Sequence, residues 1–198
     1  MLWKAAGAVV LAACALQANA QSLTADTRQL HGWVVKAHDH HGRPFAIVDK
    51  KSARMTVFDA QGHVRGSTAI LLGQAPGDDI APGVGEHAQQ GAVPFRERTT
   101  PAGRFAADAG VNDAGEHVIW VDYVSAFAIH RLRPNRAEAA RKTRLASPKP
   151  ADRRVSYGCV VVPVAFYKDV VQRWLGSGRS VVYVLPEHGT LQEMFTAL

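Results

Sequence analysis

Short apolar or alternating runs, each closed by a turn signal, recur along most of this chain and constrain its fold more than any other feature. Residues 45–49 are almost continuously apolar, a Lys-Lys-Ser-Ala turn follows, residues 54–59 alternate roughly, and Gln61-Gly62 turns the chain into a further run over 64–72. Period-2 patterning in segments this short, bounded by turn residues, predicts a meander of β-strands. Residues 117–121 and 126–132 read as two buried strands, and 180–185 as the last one. Alternation in 126–132 puts Phe127 and Ile129 on one face and Ala128 and His130 on the other. Thr100-Pro101-Ala102-Gly103 turns into a strand whose Phe105 points to the core, and residues 112–115 turn again.

Helix signals are fewer. Pro134 breaks a strand, Asn135 is placed to cap a helix through Leu145, and Glu138 takes the capping-box position. Pro163 suits a first helical turn, and Val164, Tyr167, Val170, Val171 and Trp174 make an apolar stripe at helical spacing, which is core. Gly176-Ser177-Gly178 stops that helix. Residues 21–44 are expected to be a polar leader followed by a first strand at 33–37, and 187–198 a tail. Residues 73–99, rich in glycine and proline, are expected to be an irregular loop of the kind that is functional or mobile. The fold class expected is mainly β, one domain over 45–186, with one or two short helices and a cysteine turn.

Residues 1–20 read as an export signal: Lys4, an apolar run, then Ala18-Asn19-Ala20 before the cut. The apolar run is shorter than the roughly 20 residues needed to span a bilayer. Leu11-Ala12-Ala13-Cys14 resembles a lipoprotein box, and lipidation at Cys14 is the alternative that would attach the protein to a membrane. Either reading gives a periplasmic or cell-envelope location. Cutting after Ala20 leaves Cys159 as the single cysteine of the chain, unable to form an internal disulfide. In an oxidising compartment such a thiol is either a buried small hydrophobe or a reactive group. The formal charge of the whole chain is +6. Most of it lies in residues 131–154, where nine basic residues face Glu138 and Asp152. This segment is either a solvated helix face or a contact for an anionic partner. The His38-Asp39-His40-His41 run lies in a turn with no second ligand cluster, so no metal site is assigned. No phosphate-binding loop, dinucleotide fingerprint or aromatic-basic nucleic-acid motif is present, so no cofactor and no nucleic-acid partner is expected.

Residues 154–163 carry the chemistry. Attack on an amide or ester needs a thiolate, and an unperturbed cysteine is mostly thiol at neutral pH unless an imidazole takes its proton. His130 is the candidate base. The backbone N–H groups of Tyr157, Gly158 and Cys159 are the candidate oxyanion donors, since a glycine turn lets them converge. Ser156 is either a group that orients the turn or an ordinary turn serine.

Three motifs in order, Thr-Pro-x-Gly-x-Phe at 100–105, the strand histidine His130 and Ser-x-Gly-Cys-Val at 156–160, resemble the catalytic domain of the YkuD-type L,D-transpeptidases. The resemblance spans roughly residues 45–185. It implies a β-sandwich-like fold with the cysteine in a groove, and a two-step acyl transfer on peptidoglycan stem peptides without metal or organic cofactor. Cys159 would attack the carbonyl of the third stem residue, usually meso-diaminopimelate, and expel the terminal D-alanine. The thioester would pass to an amine of a second stem, to an acceptor-protein amine, or to water. A carboxypeptidase-type hydrolase and a non-catalytic wall-binding module are the alternatives. Two departures stand out: Tyr157 occupies a position where the family has histidine, and Val161 one where it has arginine. Arg153 and Arg154 are candidates to meet the substrate carboxylate in its place. The family's histidine is oriented by a following serine or a backbone carbonyl. Here Arg131 follows, so its carbonyl is the expected support, with Asp122 as a further candidate. The interval from His130 to Cys159, 29 residues, is long for the family because of the basic insert, which is expected to cover the groove.

Overall fold

The computed structural model describes residues 23–195, so the export-signal and Cys14 readings lie outside the described residues. The architecture is mainly β, built on one eight-stranded sheet. Its strands are β1 (Phe45–Asp49), β2 (Arg54–Phe58), β3 (Val64–Ala69), β5 (Gly103–Val111), β6 (His117–Asp122), β7 (Phe127–Arg131), β9 (Val160–Val162) and β10 (Ser180–Val184), with β4 (Leu72–Gly73) and β8 (Arg154–Ser156) forming a separate pair. The spatial order is β3-β2-β1-β10-β5-β6-β7-β9. Pairs β1/β10, β7/β9 and β4/β8 are parallel and the others antiparallel. Two residues beyond β3 the chain reaches the opposite edge, where Leu71 and Val161 exchange hydrogen bonds of 2.8 and 3.0 Å. The sheet therefore curls until its two edges meet at one corner.

The continuous apolar runs exist because their strands are covered on both faces. In β1 and β10, Ala46, Val48, Val182 and Val184 enter one core while Phe45, Ile47, Val181 and Tyr183 enter another. The first core fills the concave side and takes the helical segment formed by α4 (Val164–Phe166), a π-helical stretch (Tyr167–Val171) and α5 (Gln172–Trp174), which places Tyr167, Val171 and Leu175 there. Each large side chain so buried contributes about 1.5–3 kcal/mol relative to exposure.

The second core corrects two expectations. Residues 33–37 are not a strand but the end of helix α1 (Ala25–Ala37). Thr24 caps the helix by accepting from the Thr27 N–H, Asp26 and Lys36 sit at the ends that suit the helix dipole, and Leu30 and Val34 are buried four residues apart. These signals outweigh the β-branched pair Val34-Val35 that suggested a strand. Residues from 187 onward are likewise more than a tail: α6 (Leu191–Met194) starts in a capping box of Thr190 and Glu193, and Leu191 and Phe195 close the second core. Residues 73–99 hold a short helix, α2 (Val84–Gln89), which glycine and proline masked in the sequence. Helix α3 (Glu138–Ala146) begins later than expected. Asn135 accepts from the Ala137 N–H at 2.9 Å in a turn ahead of the helix and does not cap it. Leu145 of α3 joins Leu71, Leu132 and Val161 in a third cluster, pinning the basic segment over edge strand β9. Among the described residues no helix is long and apolar enough to cross a membrane.

Candidate active site

The cysteine turn leaves β8 at Ser156 and re-enters the sheet at Val160. Gly158 makes this possible, with φ of +131°, and a Cβ there would stand 2.8 Å from the Thr99 carbonyl oxygen. Ser156 orients the turn. Its buried hydroxyl donates to the Cys159 carbonyl at 2.6 Å and accepts from the Gly158 N–H at 3.2 Å. The turn is also clamped from outside by Thr100, which is 1% exposed. The Thr100 hydroxyl donates to the Gly158 carbonyl at 2.8 Å and accepts from the Gly73 N–H at 2.9 Å. Beneath it the buried ammonium of Lys50 donates to the Thr100 carbonyl at 2.9 Å, to the Gly77 carbonyl at 2.7 Å and to Asp78. The threonine of the 100–105 motif is thus the tie between three chain segments, a role that spacing alone did not reveal.

Parallel pairing of β7 with β9 matches Ile129 to Val160 and His130 to Val161. Alternation then puts Cys159, Val161, Ala128 and His130 on the face opposite the core, as expected for His130. The Cys159 thiol donates to the Ala126 carbonyl at 3.5 Å and its sulfur accepts from the Ala128 N–H. Nδ1 of His130 lies 2.8 Å from the Arg131 carbonyl oxygen. A carbonyl only accepts, so Nδ1 carries the proton and the lone pair of the neutral ring is on Nε2. Arg131 thus contacts His130 through its backbone, while its guanidinium is 2.6 Å from Glu116. Asp122 instead accepts from Ser125 and from the Val124 N–H.

Burial disfavours the charged form of both candidate reactive groups. Burial holds the His130 imidazolium down to a pKa of about 4, helped by the charges of Arg133 and Arg141 and opposed by the Arg131 carbonyl. Burial also pushes the Cys159 thiol up, against the Ala128 N–H and the Arg133 charge. Both shifts favour the uncharged forms, a thiol and a neutral imidazole, on one face of the sheet. Of the three candidate oxyanion donors, the Gly158 N–H is engaged by Ser156, which leaves those of Tyr157 and Cys159.

Cys159 sits where two cavities meet. One, of about 100 Å³, is walled by Ile80, Val84, Val93, Pro101 and Phe127. The other, of about 370 Å³, is lined by Trp120, Asn112, His130, Arg133, Asn135 and Arg141. Tyr157 borders both and is half exposed, with the Arg98 guanidinium 4.1 Å from its ring centre. That guanidinium is held by Gln74 at 2.6 Å and the Val93 carbonyl at 2.9 Å.

Two candidates do not reach these cavities. Arg153 is buried, and its guanidinium donates to the carbonyls of Ser52, Ala53 and Ser147. Arg154 pairs with Glu187 and the Gly73 carbonyl. Their position next to the turn in sequence suggested the substrate. A 3-10 turn over Pro150–Arg153 and the β4/β8 pair point both side chains into the framework instead. The cavity arginines, Arg133 and Arg141, belong to the same basic segment, but only the fold separates them from its other members. In the His38–His41 run, His40 is buried, 2.9 Å from the Ala60 carbonyl oxygen and tilted against Phe45, while His38 caps α1.

No family model matches the sequence, and no curated protein matches it significantly. Among solved structures, the chain is similar to the helical cell shape determining protein Pgp2 from Campylobacter jejuni (K307A mutant), at TM-score 0.47 and 13% identity, over 75% of this chain and 48% of that one. It is similar to the Ldtfm–avibactam carbamoyl enzyme at TM-score 0.41 and 18% identity, over 73% and 49%. It is similar also to the catalytic domain of the E. faecium L,D-transpeptidase, at 0.38 and 19%, over 73% and 98%. The chain spans about half the length of the first two.

Proposed function

We propose that this chain is a cysteine acyltransferase of the cell envelope that works as an L,D-transpeptidase on peptidoglycan stem tetrapeptides. The observation that carries the reading is the placement of one thiol at the junction of two cavities, on the same sheet face as a histidine whose free nitrogen is Nε2. An acyl transfer needs room for a donor on one side of the nucleophile and for an acceptor on the other, with a base within reach of both.

In the first step the Cys159 thiol gives its proton to His130 Nε2 as sulfur bonds to the donor carbonyl carbon. Moving that proton creates two charges in a buried site, so transfer accompanies attack. Arg133 stabilises the forming thiolate, while the N–H groups of Tyr157 and Cys159 are directed to the oxyanion. Collapse breaks the C–N bond, and the proton on His130 goes to the leaving amine of the terminal residue. In the second step an acceptor amine loses its proton to His130, attacks the thioester and expels the thiol. Water in place of the amine gives hydrolysis.

Mass spectrometry of the intact chain with tetrapeptide muropeptides tests the reading. A thioester mass at Cys159, absent from Cys159→Ala, is the expected result, and a wild-type chain that forms none would end it. New cross-links among the products identify transfer, and trimmed stems without them identify hydrolysis.

A further inference from the structure

The larger of the two cavities carries a charge that nothing in its walls offsets. Arg133 and Arg141 line it together with His130 and Cys159, and no carboxylate does. Glu116 lies 2.7 Å from the Nε of Arg133 and 2.6 Å from Arg131, so one carboxylate serves two guanidiniums. The Arg141 guanidinium, half-buried on the inner side of α3, has no hydrogen bond or ion pair among the described residues. The other cations around the turn are spent differently: Lys50 on Asp78, Arg98 on Gln74, Arg153 on three carbonyls and Arg154 on Glu187. A planar group with five donors, partly desolvated beside a nucleophile and left without an acceptor, is built for an anion, and for a carboxylate above all. Helix α3 is held in place by Leu145 in the third apolar cluster, so Arg141 is presented from a fixed element.

We propose that Arg141, supported by Arg133, is the carboxylate subsite of this cavity, and that it takes the terminal carboxylate of the donor peptide, the one on the residue expelled during acylation. The assignment of that ligand rests on the acyl-transfer reading above; the anion site itself does not. It also accounts for Val161, because the positive charge reaches the site from α3 and not from strand β9.

Alkylation of Cys159 separates the two. Iodoacetate and iodoacetamide both form an S–CH₂ bond as the C–I bond breaks and iodide leaves, the thiol proton passing to solvent, and they differ in one negative charge. Rates are read by peptide mass mapping at Cys159 in the full-length chain. The ratio of iodoacetate to iodoacetamide rates is expected to fall about threefold or more in Arg141→Gln, to return in Arg141→Lys, and to shrink in the wild type at high salt. In parallel, Cys159→Ala is titrated calorimetrically with a stem tetrapeptide and with two mono-amides, one at the terminal carboxylate and one at the side-chain carboxylate. Amidation of the terminus is expected to abolish the difference between wild-type Arg141 and Gln, and amidation of the side chain to preserve it. The reverse pattern would give the subsite to the side-chain carboxylate and overturn the assignment. A rate ratio unchanged in Arg141→Gln, with equal tetrapeptide affinity, would overturn the site itself, even where acylation proceeds. A shifted ratio in a chain that never acylates would keep the anion site and remove the transpeptidase reading.

Discussion

Replacing Thr100 by valine removes one oxygen and almost no volume, yet it should loosen the cysteine turn. The hydroxyl is buried and serves both a donor and an acceptor, the Gly73 N–H at 2.9 Å and the Gly158 carbonyl at 2.8 Å. Valine would leave both backbone groups without partners in a place water does not reach. A buried polar group that loses its partner costs about 1–3 kcal/mol, so the pair predicts a loss of about 2–6 kcal/mol. For a chain of this size, at about 2–4 °C per kcal/mol, that lowers the melting temperature by roughly 4–24 °C. Thr100→Ser keeps the hydroxyl and gives up one methyl group, and it should lie within about 1.5 kcal/mol of wild type. Equilibrium urea unfolding of the three proteins measures the stabilities, and iodoacetamide labelling of Cys159 measures the turn. Valine and wild type unfolding at the same urea concentration would refute the reasoning, since the clamp would then contribute nothing. A stability loss equal in serine and valine would attribute the effect to packing and not to the two hydrogen bonds.

Two further outcomes follow from the site. Folding holds the pKa of His130 down at about 4 from an ordinary 6.5, so the unfolded chain binds the extra proton between those values. Stability from this residue is complete above about pH 6.5 and is lost as pH falls toward 4, by about 3 kcal/mol in all; urea titrations from pH 7 to 4 should show a slope that His130→Gln reduces, and a wild-type slope no steeper than the variant's would contradict the burial argument. Gly158→Ala would set a Cβ 2.8 Å from the Thr99 carbonyl oxygen on a backbone at φ +131°; a loss of about 1–3 kcal/mol and at least a tenfold slower acylation are expected, checked by thermal melts and by the rate of thioester formation, with wild-type acylation as the contrary result.

Much of this fold was readable because a strand covered on both faces must be apolar throughout. Residues 45–49 and 180–185 announced themselves for that reason, while alternation in 126–132 separated the His130 face from the core face. The setting of Cys159 was legible too, since a cysteine within Ser-Tyr-Gly-Cys has glycine before it and apolar strand after it. Helix α1 was not, because its signals are a capping threonine and two leucine-like positions four apart, set against a β-branched pair in the same stretch. The direction of two arginine side chains was not legible for a related reason. Arg153 and Arg154 are nearest to Cys159 along the chain, but direction in space is set by the 3-10 turn and the β4/β8 ladder, and neither is written in the spacing of charges.

What the sequence by itself determined is therefore the local part: strand propensities, the glycine turn, one thiol and one strand histidine. Which residues meet was decided by the tertiary structure alone. Parallel pairing of β7 and β9 brings His130 and Cys159 to one face across 29 residues. The curl of the sheet brings Thr100 under the turn, and Leu145 pins α3 so that Arg141 reaches the cavity. Those contacts join segments far apart in the chain, and they form only where burying apolar faces outweighs the entropy of closing such long loops.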